Sequence, residues 1–405
     1  MNICILVRST LTHQMGGTQV LCQTLSEVAE SGHSVTIITT KHPQGVEHEC
    51  KNGSSIHYLS NTRPARLNKY WWKESVNKIV ELHKKNSFDV IWAQNLAGYY
   101  YAWKVKPTLK IPIISVIHGL GILGHIRSEW NCLSSFKECI SFAGKYLPEA
   151  FFCYIPWLFR TLKYSDAIVG VSEQTQEALR KEFGVDEKKI FVIYDGIDME
   201  KFKPDKEKGE SIRKKLSLTE NNQVLLIAGV AHKQKGMHIG LQAFAKIKKE
   251  FKNVKLMIVG EGPQLPELKK LTKKLGIEKD VIWCGFISNE DISFYYNAAD
   301  IFLNPTIRVE GLSLVTVEAM ACGLPSVITR IGGTQSTIDE GISGFFIKPR
   351  DASSLAEKTI KILTDSSLSK KMGRGAREKA LRKFSKEKMI ADYLDISEKV
   401  GKRGL

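Results

Sequence analysis

The sequence predicts an α/β protein made of two doubly wound parallel-sheet domains, and three observations carry that expectation. Short apolar runs alternate with amphipathic stretches along most of the chain. The alternation breaks over a charged stretch at 201–215 that contains Pro204, and then restarts. The 405 residues also exceed the ~250–300 at which single cores stop growing. The expected organisation is a domain over 1–200, a linker over 201–215, a second domain over 216–385, and a last helix over 386–405 that crosses back to the first domain.

The elements follow in order. NICILV, Asn2 to Val7, is a buried strand, and the glycine pair Gly16-Gly17 precedes a helical stretch from Thr18 to Glu30. SVTIITT is the second strand, followed by a basic aromatic stretch and a helix from Trp71 to Lys85. DVIWAQN, IPIISVIHG, AIVGVSE and IFVIYDGI continue the strand series. After the linker come QVLLIAGV, VKLMIVGEG, VIWCGF, IFLNP, PSVIT and GFFIKP, then helices at Asp351 to Leu363 and Lys386 to Val400. Near-continuous Val/Ile/Leu runs are what strands covered on both faces require. Two such sheets are expected to face each other across a cleft, with ligands at the strand carboxyl ends.

One run concentrates the chemistry: EGLSLVTVEAMACGLP, with Glu310 and Glu318 on either side of a helix start. Pro305 stops the preceding strand. Ser313 to Cys322 has helical spacing, with Leu314, Val317, Met320 and Ala321 as its apolar stripe and Gly323 as its stop. The first turn of a helix offers unpaired N–H groups and the positive dipole end, so the backbone of Leu312, Ser313, Leu314 and Val315, entered through Gly311, suits a diphosphate. Glu318 lies ~7 Å further along the helix at 1.5 Å per residue, about one ribose away. Glu310 sits in the preceding loop, where a sugar attached to the phosphate belongs. The competing reading of this pair is a surface Glu followed by a helix Glu held in a salt bridge.

Composition narrows the class. Lys and Arg number 59 against 43 acids, a net charge of +16 that favours phosphate-rich or anionic partners, and a solvated Lys-rich surface is the plain alternative. No nucleic-acid motif accompanies the charge, so nucleic acid is not an expected partner. The eight cysteines form no C-x-x-C pair, which argues against zinc and disulfides and for a reduced, cytoplasmic compartment. No cleavable signal and no apolar run of ~18 residues is found. Neither half carries G-x-G-x-x-G or a P-loop, which argues against a dehydrogenase or a P-loop NTPase. The aromatic segment 119–163, with Trp130, Phe136, Phe142, Tyr146, Phe151, Phe152, Tyr154, Trp157 and Phe159 among Lys137, Lys145, Arg160 and Lys163, suits either core packing or an anionic membrane surface, as does 63–73.

Together these runs resemble glycosyltransferase family 4, retaining enzymes of the GT-B fold with two Rossmann-like domains. LLIAGVAHKQKG, with Gly229, Lys235 and Gly236, resembles the loop that opens the family's nucleotide domain; VKLMIVGEGP supplies Gly260 and Gly262, and VIWCGFIS supplies Gly285 and Phe286 beside the base. At the amino end, GGTQVLCQTLSEVAESGHSVTIITT resembles the acceptor domain with its Gly16-Gly17 loop, VIHGLG carries His118, and VIYDGIDMEKFKP resembles the interdomain segment. The resemblance implies that His118, Lys235 and Glu310 act on the transferred sugar and leaving diphosphate, and that Glu318 holds the ribose. It departs in three places: Val230 stands where Arg is usual, which shifts phosphate charge to Lys235 or Lys233; Ser336 stands where Glu is usual; and Asp195 stands where Asn is common.

The implied activity is transfer of a sugar from a nucleotide diphosphate, UDP before GDP, to a hydroxyl of a glycan or lipid-linked acceptor. No Asp-x-Asp occurs, so neither a metal nor another cofactor is expected. Two alternatives stand beside it: a nucleotide-sugar 2-epimerase of similar architecture, and a non-catalytic basic scaffold that binds anionic lipid or nucleic acid.

Overall fold

The computed structural model describes residues 1–13, 16–119, 124, 126, 128, 140, 142–144, 147, 148 and 150–403. Trp130, Phe136, Lys137, Lys145 and Tyr146 of the aromatic segment lie outside the described residues. The chain divides into two compact units, one comprising Met1–Leu123, Lys137–Gly196 and Lys386–Leu405, the other Gly124–Phe136 and Ile197–Ser385.

In the first unit, β1 (Asn2–Leu6), β2 (Ser34–Thr40), β3 (His48–Lys51), β4 (Ser54–Leu59), β5 (Val90–Gln94), β6 (Ile113–Ile117), β7 (Ala167–Gly170) and β8 (Ile190–Val192) form one sheet in the order β3-β4-β2-β1-β5-β6-β7-β8. All pairings are parallel except β3 with β4. The order reverses between β1 and β5, so the loops after β1, β5 and β6 open at a switch point. Helices α1 (Gly17–Ser26), α2 (Lys69–Lys85), α3 (Ile155–Tyr164) and α4 (Glu173–Phe183) connect the strands. α2 starts where the Asn68 side chain accepts from the N–H groups of Tyr70 and Trp71. The C-terminal helix, Lys386–Arg403, belongs to this unit: Trp92 Nε1 donates to Ser397 Oγ at 2.9 Å, and Lys386 pairs with Glu27 at 2.9 Å.

The stretch 63–73 is divided: Arg63, Pro64, Arg66, Lys69, Tyr70 and Lys73 are exposed, and its two tryptophans are core. Trp71 and Trp72 are buried, and the Trp71 indole donates to the Ala97 carbonyl at 3.0 Å. The segment 119–163 is divided. Phe142 is buried and Trp157 stacks on Tyr99 at 5.7 Å, whereas Phe151, Phe152 and Phe159 are 66%, 82% and 48% exposed.

In the second unit, β9 (Gln223–Ala228), β10 (Val254–Val259), β11 (Val281–Gly285), β12 (Ile301–Asn304), β13 (Ser326–Thr329) and β14 (Gly344–Ile347) form an all-parallel sheet in the order β11-β10-β9-β12-β13-β14. Helices α5 (Lys206–Lys215), α6 (Met237–Glu250), α7 (Leu265–Leu275), α8 (Ile292–Ala298), α9 (Leu314–Ala321), α10 (Ala352–Thr364) and α11 (Ser366–Lys383) cover it. The stretch expected as a linker over 201–215 is instead folded. α5 is capped by the Asp205 side chain, and a Cβ on Gly209 would stand 2.3 Å from the Asn297 carbonyl oxygen, so this helix lies directly on the end of α8. The division between units falls at 196/197 and 385/386, where Ile197 bridges Ser385. Among the described residues no helix is long and apolar enough to cross a membrane.

Candidate active site

The second unit gathers its motif residues at the carboxyl ends of β9 to β13, around the switch point between β9 and β12. Gly229, Gly260 and Gly285 end three adjacent strands. Gly229 N–H donates to the Val259 carbonyl at 2.9 Å, and Gly260 N–H to that of Gly285 at 2.8 Å. Gly260 has φ 127°, and a Cβ there would sit 1.9 Å from the Gly229 oxygen, so only glycine allows the strand ends to close this tightly. Gly262 meets Ala231 in the same way, at 2.6 Å. The rim of this turn is open: Val230 and Phe286 are 60% and 61% exposed.

Lys235 ends a short 3₁₀ turn, Lys233–Lys235, whose position is fixed from β12. Ile307 N–H donates to the Gln234 carbonyl at 2.8 Å, and a Cβ on Gly236 would stand 2.0 Å from the Pro305 oxygen. That register brings the Lys235 ammonium onto the Glu310 carboxylate in a direct ion pair. The loop carrying Glu310 is held in turn: Gly333 N–H donates to the Glu310 carbonyl at 2.8 Å, and Val309 N–H to Ser128 Oγ at 2.9 Å. An ammonium has three donors. One is taken by Glu310, and among the described residues no acceptor for the other two is found.

α9 starts at Ser313, which caps nothing with its side chain. Its hydroxyl accepts from Asn304 Nδ2 at 2.9 Å and from Thr316 Oγ1 at 3.0 Å. Thr316 and Val317 N–H groups bond the Ser313 carbonyl, which leaves the first-turn N–H groups of Leu314 and Val315 without intrahelical acceptors. Gly311 is buried and Leu312 half-buried in the approach to this turn. The expected apolar stripe on α9 understates its burial, because Thr316, Val317, Ala319, Met320 and Ala321 are all buried.

Glu318 therefore stands in apolar surroundings. Burial raises its pKa from the usual 4.5 to about 7, opposed by the Tyr296 hydroxyl, which donates to Oε2 at 2.8 Å, and by the Lys201 charge. The salt bridge weighed from sequence is absent among the described ion pairs of Glu318. Tyr296 is itself fully buried, and its own pKa is driven up by burial and by Glu318. Sequence reasoning missed Tyr296; its place in the apolar face of FYYNAAD was the available signal.

The first unit carries the other expected residues. Gly16 caps α1 with an extended backbone, φ 175°, and Gly17 begins the helix; no side chain caps this end. His118 follows β6 and is 10% exposed at its side chain. Its Nε2 lies 2.6 Å from Gln94 Oε1, its Nδ1 3.4 Å from Asp195 Oδ1, and its N–H donates to Asn95 Oδ1 at 3.2 Å. Of these partners, Asp195 had drawn notice only as a departure from a motif, and Gln94 not at all. The expected residues thus divide: Gly229, Lys235, Gly260, Gly262, Gly285, Phe286, Glu310 to Val315 and Glu318 belong to the second unit, and Gly16, Gly17 and His118 to the first.

Comparison with known proteins identifies the family and the fold. The model "Glycosyltransferase Family 4" matches residues 15–201, and "Glycosyl transferases group 1" matches 208–379. The N-acetyl-alpha-D-glucosaminyl L-malate synthase of Bacillus anthracis is 27% identical over 375 residues, covering 85% of this chain and 89% of that protein. Among solved structures, the sucrose-phosphate synthase of Thermosynechococcus elongatus superposes with TM-score 0.80 at 20% identity, covering 99% of each chain. Anabaena Alr3699/HepE in complex with UDP gives 0.78 at 18% identity over 98% of this chain and 100% of that one, and the same protein is known in complex with UDP-glucose. The fold is GT-B, and the chain belongs to glycosyltransferase family 4. It is a retaining glycosyltransferase that takes its sugar from a nucleotide-sugar donor.

Proposed function

We propose that the chain transfers a hexosyl group from a UDP-sugar to a hydroxyl of a glycan or lipid-linked acceptor. The observation that carries this reading is the Lys235–Glu310 ion pair beside the uncapped start of α9. It combines a cation with spare donors and two open backbone N–H groups for a diphosphate, next to a carboxylate for sugar hydroxyls. As the anomeric carbon leaves the diphosphate oxygen, the acceptor oxygen bonds to that carbon on the same face, and the acceptor proton passes to the departing phosphate oxygen. Charge growing on that phosphate is met by Lys235 and the N–H groups of Leu314 and Val315. Glu318 accepts from the ribose hydroxyls, Gly285 and Phe286 border the base, and His118 meets the transferred sugar. Val230 supplies no charge where the family commonly has Arg, so Lys235 carries the larger share.

UDP is preferred because the Anabaena structures of this fold hold UDP and UDP-glucose. An anionic membrane surface is the proposed setting of a lipid-linked acceptor, supported by the exposed Phe151, Phe152 and Phe159 and the net charge of +16. The test is a thermal-shift panel of UDP, GDP and ADP with their glucose, N-acetylglucosamine and mannose conjugates. A ligand at ~100 times its dissociation constant adds ~2.7 kcal/mol. Stabilisation by UDP compounds with slow hydrolysis of the matching UDP-sugar supports the reading. Stabilisation by GDP compounds alone, or isomerisation of the UDP-sugar, overturns it.

A further inference from the structure

The His118 environment holds more buried polar chemistry than binding one sugar hydroxyl needs. Gln94 and Asp195 are 2% and 7% exposed, yet Gln94 Nε2 and Asp195 Oδ1 have no hydrogen-bond partner. The Tyr393 hydroxyl on the C-terminal helix is likewise unpartnered, and its pKa is driven up first by burial and then by the Asp195 charge. The Asp195 contact with His118 Nδ1, at 3.4 Å, is an ion-pair distance that misses hydrogen-bond geometry. Unpaired buried polar groups are costly, and where they cluster they mark a network completed by water, ligand or a small rearrangement. Bonds of this kind are often long in unliganded sites and tighten in the working complex.

We propose that Asp195 is the positioning residue for His118, fixing the imidazole as the Nδ1–H tautomer so that Nε2 is the acceptor edge offered to a sugar hydroxyl. An ionised carboxylate only accepts hydrogen bonds, so Asp195 Oδ1 draws the ring proton to Nδ1. Nε2 is then bare. In the unliganded site a half-turn of the Gln94 amide lets its NH₂ donate to Nε2, the bond that Gln94 Nε2 lacks, and the sugar hydroxyl takes over that single lone pair on binding. Asn, the residue common in the family at this position, can present either its oxygen or its NH₂ to Nδ1 and leaves both tautomers open. Asp leaves one. The departure at Asp195 thus acquires a role in the transfer reaction, and the inference rests on the reading that His118 meets the transferred sugar.

The experiment uses the full chain labelled with ¹⁵N at histidine, with two-bond ¹H–¹⁵N correlation at pH 8 and the His118 signals assigned by their loss in His118→Gln. The expected parent spectrum shows His118 protonated at Nδ1 and bare at Nε2; a proton on Nε2 overturns the proposal. Asp195→Ala is expected to shift the ring toward the Nε2–H form, and Asp195→Asn to give a mixture. In UDP-glucose hydrolysis, Asp195→Ala is expected to lower kcat on the order of tenfold or more with KM within about twofold, and Asp195→Asn to recover part of the loss. A folded Asp195→Ala protein with parental kcat overturns the proposal. Should that variant fail to fold, the parent and Asp195→Asn spectra decide. If the parent neither binds UDP nor hydrolyses UDP-glucose, the donor assignment has failed, and the tautomer measurement still reports on Asp195 alone.

Discussion

Replacing Glu318 with Gln should make the protein more stable in alkali and remove the carboxyl's contribution to the pH dependence of nucleotide binding. In the folded chain Glu318 has a pKa of about 7 against the usual 4.5, chiefly because burial penalises its charge. A raised folded-state value means that the stabilisation from the protonated form is fully present below pH 4.5 and is lost as pH rises through 7. At about 1.36 kcal/mol per pH unit the gap is worth roughly 3 kcal/mol, an upper bound because Glu318 keeps some exposure to solvent. Glu318→Gln should therefore melt close to the parent near pH 5. At pH 8.5 it should melt up to roughly 6–12 °C higher, using the ~2–4 °C per kcal/mol of a domain of this size. Binding runs the other way. If only the ionised carboxylate accepts from both ribose hydroxyls, parent affinity for UDP should fall towards tenfold per pH unit below about 7, and the Gln variant should follow only the titration of UDP itself. Melting at pH 5 to 8.5, with calorimetry over the same range, tests both. Parallel curves for the two proteins would refute the buried-carboxylate argument.

Lys235→Ala should lower turnover on the order of a hundredfold, about 3 kcal/mol of transition-state stabilisation, with a smaller loss of UDP affinity; turnover within twofold of the parent removes the ammonium from the mechanism. Turnover should persist in excess EDTA, since the sequence offers no Asp-x-Asp pair, and a complete loss restored by magnesium or manganese would show that the diphosphate is neutralised differently. Gly260→Ala should destabilise the second unit by more than about 2 kcal/mol, because its Cβ would meet the Gly229 oxygen at 1.9 Å on a backbone with φ 127°; an unchanged urea midpoint contradicts that packing. Co-sedimentation with anionic vesicles should weaken with salt, and Phe151→Ser with Phe152→Ser should remove the salt-resistant part; a parent that stays in the supernatant at low salt ends the membrane reading.

The legible parts of the fold share a local signature. β1, β2, β5, β6, β9, β10 and β12 are buried on both faces, so each appears as an apolar run ended by a polar residue, Gly or Pro. The β3–β4 pair escaped notice because its first strand, HECK, is mostly exposed. α11 escaped because Met372 is the one large apolar side chain on a buried face otherwise made of Gly373, Ala376, Lys379 and Ala380, and a Cβ on Gly373 would stand 2.3 Å from the Gly323 oxygen. α5 read as a linker because Gly209 and Ile212 are its buried residues, and its stability depends on lying against α8.

Within the site, the sequence by itself determined which residues stand at the carboxyl ends of which strands, because a strand, a tight glycine turn and a helix start are specified by neighbours a few positions away. It placed Lys235, Glu310 and the start of α9 in loops that must converge once the sheet is parallel. Tertiary structure alone decided their charge and partners. Lys235 meets Glu310 across 75 positions, Tyr296 reaches Glu318 across 22, and His118 lies between Gln94 and Asp195 from separate strands and loops. Ionisation and hydrogen bonding depend on the dielectric and the atoms within a few ångströms, and those are set by packing between segments far apart in the chain.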